Sequence, residues 1–137
     1  MNELEQYECL KQYKSRDIAI RTIEEEIEAL YGHVPSPSFT RTGTSPKDGK
    51  SSVEKTIRRV EKLRQKQDAL IDLQERCEEY VDDLEDLHVS NILRYRYIMG
   101  LTWQNTARAM AGTEEYSHLM RAVRNYYDKK KAQSEAG

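Results

Sequence analysis

The chain has 137 residues, about one domain's worth, of which 34% are charged and 37% hydrophobic. No apolar stretch approaches the roughly 18 residues of a membrane span, and Met1-Asn2-Glu3-Leu4 opens an acidic helix, not a signal peptide; no membrane association is expected, and the expected location is the cytoplasm. The net charge of −2 is unevenly spread: from Ser90 onward eight Lys or Arg stand against four Asp or Glu, a local +4 that leaves −6 for the rest, so only the last third has a charge suited to nucleic acid.

In chain order, a first helix is predicted from about Asn2 to Tyr31. Leu4, Tyr7, Leu10 and Tyr13 open it, and Ile20, Ile23, Ile27 and Leu30 continue at spacings of three and four, a coiled-coil-like seam. The acidic residues Glu24, Glu25, Glu26 and Glu28 flank that seam as a solvated face. Residues 33–52 hold all three prolines among Ser, Thr and Gly and read as a flexible linker. Its Asp48-Gly49-Lys50-Ser51 lacks the glycine spacing and upstream strand of a phosphate-binding loop.

A second long helix is predicted from about Ser52 to Leu87, with Val53, Ile57, Val60, Leu63, Leu70, Leu73, Cys77, Tyr80, Val81, Leu84 and Leu87 along one side. It is basic from Lys50 to Lys66 and acidic from Glu75 to Asp86. Neither helix is stable alone, so the expected arrangement is an antiparallel hairpin, with the isoleucine seam of the first helix against part of the Leu70-to-Leu87 seam.

Three short helices follow, broken at Gly100-Leu101 and Ala111-Gly112, with Ser90, Thr102 and Thr113 as expected N-caps. Leu93, Tyr97 and Ile98 line the first; Trp103, Ala107 and Met110 the second, with Trp103 expected to be buried near Tyr97 and Met120; Tyr116, Met120, Val123 and Tyr127 the third. The fold class is therefore all-α: a long, coiled-coil-like helical hairpin over 1–89 followed by a three-helix helix-turn-helix over 90–137.

The outward face of the third helix carries Ser117, His118, Arg121, Arg124 and Asn125, followed by Lys129, Lys130 and Lys131. Arg and Asn offer forked donors and acceptors that match guanine and adenine edges, and Lys near a helix end suits phosphates. With Arg108 as a further phosphate contact, these nine residues are the candidate DNA-binding set, and double-stranded DNA is the expected partner. The bland alternative is a solvated helix face.

The run Leu93, Arg96, Tyr97, Gly100, Leu101, Thr102, Trp103, Ala107 and Met110 resembles the pattern of region 4 in sigma-70-type factors. More closely, it is similar to the small phage transcriptional regulators of the ArpU/RinA type, in which a helical N-terminal half precedes a C-terminal helix-turn-helix. The resemblance implies a sequence-specific regulator acting in a host bacterial cell, with the hairpin assembling subunits or contacting a protein such as RNA polymerase. The family's usual acid-Ile pair before the Ala is Asn105-Thr106 here, which removes a salt bridge to Arg96. If Thr113 caps the third helix, Glu114 and Glu115 sit in its first turn, where they suit the helix dipole but repel phosphate.

Two other functions fit the pattern: a small-terminase-like DNA-packaging component, and a protein-interaction module without DNA contact. An enzyme is not expected. His33, His88 and His118 are scattered, and none has a metal-ligand partner at suitable spacing, so no metal or cofactor is expected. Cys9 and Cys77 are far apart in sequence and read as packing residues.

Overall fold

A computed structural model of the chain describes residues 1–32 and 46–136, with side chains from residue 52 in the second stretch. Among the described residues every regular element is helical: α1 (Glu3–Lys11), α2 (Tyr13–Gly32), α3 (Pro46–Asp83), α4 (Leu87–Leu93), a π-helical turn (Arg94–Ile98), α5 (Trp103–Ala111) and α6 (Ser117–Ala136). The expected linker falls outside the described residues over 33–45, and residues 46–52 belong to α3. The contacts divide the chain into two compact units, residues 1–16 with 73–137, and residues 17–72.

The first unit begins with a capped helix. Asn2 Oδ1 accepts from Glu5 N–H at 2.8 Å, and Glu3 and Glu5 lie in the first turn, where the helix dipole favours acids. The single helix expected from Asn2 to Tyr31 is broken at Gln12, whose N–H turns back to the Cys9 carbonyl. The Arg16 guanidinium donates to that same carbonyl. Apolar spacing runs on through Gln12, so periodicity gives no sign of the break.

The helix expected to reach Leu87 stops at Asp83. Asp86 starts α4 instead, its side chain accepting from Val89 N–H at 3.1 Å, and Leu87 is 74% exposed. Ser90, the expected cap, lies inside α4 with its hydroxyl donating to the Val81 carbonyl at 2.8 Å. Next comes the π turn, where Met99 N–H reaches the Arg94 carbonyl. Gly100 at φ 75° and the Leu101 N–H bond to the Tyr95 carbonyl then close this element in the left-handed manner of a helix end.

Around this frame Leu10, Val81, Ile92, Leu93, Ala107, Leu119, Val123 and Tyr127 form the core of the first unit. Much of the rest is tyrosine. Tyr7 stacks on Tyr127 with centroids 4.0 Å apart and meets Tyr97 edge-on, and the hydroxyls of Tyr80 and Tyr127 share a hydrogen bond of 2.6 Å. Burial drives the Tyr7, Tyr80 and Tyr127 phenols above their ordinary range, Tyr80 to about 12. Gln74 is buried on α3 and donates to the Tyr13 carbonyl while accepting from Arg16 Nε at 2.7 Å.

The second unit is an antiparallel contact between α2 and α3. Ile23 and Ile27 pack against Val60 and Leu63, with Leu30 and Leu70 at the margin. The isoleucines therefore face the Val60-to-Leu70 stretch, not the expected Leu70-to-Leu87 seam, most of which closes the core of the first unit. Gln67, 7% exposed, donates to the Ile20 carbonyl and to Glu24. Flanking pairs Arg64–Glu24 at 2.6 Å and Arg59–Glu26 at 3.0 Å draw on the acidic run of α2 and the basic half of α3. The Gln67 amide and then Arg64 hold the Glu24 carboxyl below its ordinary value.

Candidate nucleic-acid interface

The local sequence sets the two ends of α5 as expected. Thr102 caps it, its hydroxyl accepting from Asn105 N–H at 3.1 Å, and Gly112 ends it at φ 70°. Only a residue without a β-carbon takes that backbone conformation without strain. Trp103 is half-buried, not buried as expected. It meets Tyr97 edge-on at 6.4 Å, with the Arg96 guanidinium 5.4 Å from its ring.

Arg96 donates to the Leu101 carbonyl at 3.1 Å, which pins the end of the π turn to the start of α5. Asn105 carries no carboxylate to meet it, and Arg96 Nε is buried without a hydrogen-bond partner among the described residues. The same is true of the Thr106 hydroxyl, wholly buried beside Ala107.

The third of the short helices starts at Ser117, so Thr113 is not its cap. Glu115 does that work from outside the helix, its carboxylate accepting from Ser117 N–H at 2.8 Å and from the Ser117 hydroxyl. Those two bonds hold the Glu115 carboxyl below its usual range. Glu114 is likewise outside the helix and forms an ion pair with Arg108. Both acids thus lie in the turn, and Glu115 spends its charge on the helix start.

Along α6, Leu119, Val123 and Tyr127 are buried. Leu119, which the expected stripe omitted, takes the deepest place at 1% exposed, and Met120 is half-buried. The stripe therefore lies one residue from the expected phase at its start and joins it at Val123. Half-buried Tyr126 donates to Glu3 of α1 at 3.1 Å, and α6 packs on α1 as well as α4.

Of the nine candidate DNA-binding residues, Ser117, His118, Arg121, Arg124, Asn125, Lys129 and Lys131 are exposed on α6. Arg121, Arg124 and Asn125 fall on one side by their spacing. Lys130 does not join them freely: it is half-buried, pairs with Glu3 at 3.4 Å and lies over the Tyr126 ring. Arg108 is exposed but bound to Glu114 and Asn105. One acid, Asp128, is exposed one turn beyond Arg124 on the same side and tempers the basic face. Among the described residues no group of His, Cys, Asp or Glu could hold a metal ion, and no helix is long and apolar enough to cross a membrane.

The chain matches no known protein family, no curated protein and no solved structure.

Proposed function

We propose that the protein is a sequence-specific double-stranded DNA-binding regulator of the phage ArpU/RinA type, a helical hairpin joined to a helix-turn-helix, with α5 and α6 as the DNA-contacting pair and α6 entering the major groove. The observation that carries the reading is the division of α6: one side is fixed in the core by Leu119, Val123 and Tyr127, and the other offers His118, Arg121, Arg124 and Asn125 to solvent. A rigid helix with forked donors on its free side is the requirement for reading base edges. Arg121, Arg124 and Asn125 read bases; Ser117, His118, Lys129 and Lys131 hold the backbone. Arg108 joins them by exchanging the exposed Glu114 carboxylate for a phosphate, an exchange that costs little because surface ion pairs are weak, and Lys130 joins them by leaving half-buried Glu3. The hairpin assembles subunits: Ile57 and Ile71, 51% and 36% exposed, are two heptads apart on α3 and so on one side of it.

The test is selection of DNA fragments by the purified protein, followed by binding of Arg121→Ala, Arg124→Ala and Lys131→Ala across a salt series. A base-reading Arg is worth about 1–3 kcal/mol of discrimination, and a phosphate-bound Lys lowers the salt slope by roughly one unit for all sequences alike. Three variants that bind as tightly as the parent would sink the assignment. Enrichment of a single packaging-site region favours a terminase-like role. No enrichment favours a protein partner, the second reading, which Asp128 and the acidic turn Glu114-Glu115 support.

A further inference from the structure

Two thiols distant in sequence meet in the first unit. Cys77 is buried on α3 and Cys9 half-buried on α1, and both are free. One guanidinium nitrogen, Arg16 Nη2, donates to the Cys9 carbonyl and, at 3.1 Å, to Cys77 Sγ, so a single donor group bridges the two residues. Both residues also line a cavity of about 720 Å³ between α1, the end of α3 and α6, whose wall includes Glu3, Arg76, Tyr80 and Lys130. Both residues therefore stand at the wall of a space that small polar solutes can enter.

We propose that Cys9 and Cys77 are an oxidisable pair that closes to a disulfide when the protein meets hydrogen peroxide. Cys9, the more exposed, meets the peroxide first. Its thiolate attacks one peroxide oxygen, the O–O bond breaks, and the departing hydroxide takes up a proton to leave as water; Cys9 is now a sulfenic acid. The Cys77 sulfur then attacks the Cys9 sulfur. The S–S bond forms, the S–O bond breaks, and a second water leaves with the Cys77 proton. Two thiols have lost two electrons and one peroxide has gained them.

The surroundings divide the labour. Burial pushes the Cys77 thiol up to about 11, so by itself it is inert to oxidants. Arg16 Nη2 supports negative charge on that sulfur as its proton leaves. In a reducing compartment the pair rests as a dithiol, and the disulfide is the transient, sensing kind. Its closure ties α1 to α3, and α1 is the helix whose Glu3 engages Tyr126 and Lys130 of α6.

The full chain is exposed to hydrogen peroxide, blocked with iodoacetamide, and read by intact mass and peptide mapping. The expected result is a loss of two hydrogens, a Cys9–Cys77 cross-linked peptide, disappearance of both alkylation sites together, and recovery of both by dithiothreitol. In Cys9→Ser the Cys77 thiol should survive the same exposure unoxidised, whereas in Cys77→Ser the Cys9 thiol should advance to the sulfinic acid. A parent protein in which Cys9 reaches the sulfinic acid while Cys77 stays alkylatable, or in which disulfides form only between chains, overturns the proposal.

Discussion

The two units bury their contents by different chemistry. The first closes around aromatic rings whose hydroxyls must find partners: Tyr7 on Tyr127, Tyr97 on Trp103, and the Tyr80–Tyr127 pair. The second closes around four aliphatic side chains, Ile23, Ile27, Val60 and Leu63, bordered by ion pairs of Glu24 and Glu26 with Arg64 and Arg59. An aliphatic seam answers to volume and stray charge. A tyrosine core answers also to proton concentration and to single hydrogen bonds, so the two should fail under different insults.

Alkali should separate them most widely. The phenols of Tyr7, Tyr80, Tyr126 and Tyr127 are all raised from 10, chiefly because burial disfavours the charged form. In the unfolded chain they titrate at the ordinary value, so above pH 10 the unfolded state releases protons that the folded state keeps. Their contribution is whole below pH 10 and is lost as pH climbs toward and past 12, at about 1.4 kcal/mol per pH unit for each proton held back. The one tyrosine of the second unit, Tyr31, is 60% exposed. Hydrogen exchange should therefore show protection vanishing from 1–16 and 73–136 while 17–32 and 52–72 hold; simultaneous loss in both would contradict the contrast.

The reverse insult is Ile27→Asp. Ile27 is 1% exposed, and losing a buried branched side chain costs roughly 2–5 kcal/mol before the added charge is counted. Protection should fall across 17–32 and 52–72 with the tyrosine absorbance of the first unit unchanged. A smaller effect tests the hydroxyl pair: Tyr127→Phe leaves the Tyr80 hydroxyl buried and alone, at about 1–3 kcal/mol. Adding Tyr80→Phe should recover most of that loss in the melting temperature. Smallest, and of opposite sign, is Thr106→Val, which replaces a buried unpartnered hydroxyl with a methyl and should raise stability by about 1 kcal/mol; a lower melting temperature would mean that the hydroxyl has a partner after all.

What could be read from the sequence was local. The cap at Thr102, the breaks at Gly100 and Gly112, and the free side of α6 at His118, Arg121, Arg124 and Asn125 all follow from spacing and turn chemistry within a few residues. What could not be read depends on partners far along the chain. Ser90 has the composition of a cap, but its hydroxyl is taken by Val81 on the preceding helix. Lys130 reads as a free phosphate ligand until Glu3, near the other end of the chain, claims it. The meeting of Cys9 with Cys77 likewise needs α1 laid against α3. Leu119 was missed for a different reason: with apolar residues at 116, 119, 120, 123, 126 and 127, two phases of the same helical repeat are available, and only the packing on α1 and α4 selects one.

Gln67 and Gln74 occupy the same slot in successive heptads of α3, in positions where an apolar residue would pack better. The two amides find their partners together only at one alignment: Gln67 at the Ile20 carbonyl, Gln74 at the Tyr13 carbonyl and Arg16. A slide of one heptad would leave the aliphatic spacing intact and set one amide in the other's place, but take its mate away from the partners it has here. They therefore act as a vernier, giving up some adhesion for a single registration of the helices, as polar residues do at the seams of coiled coils. Leucine at both positions should hold the helices together more tightly and tell them less clearly where to stop.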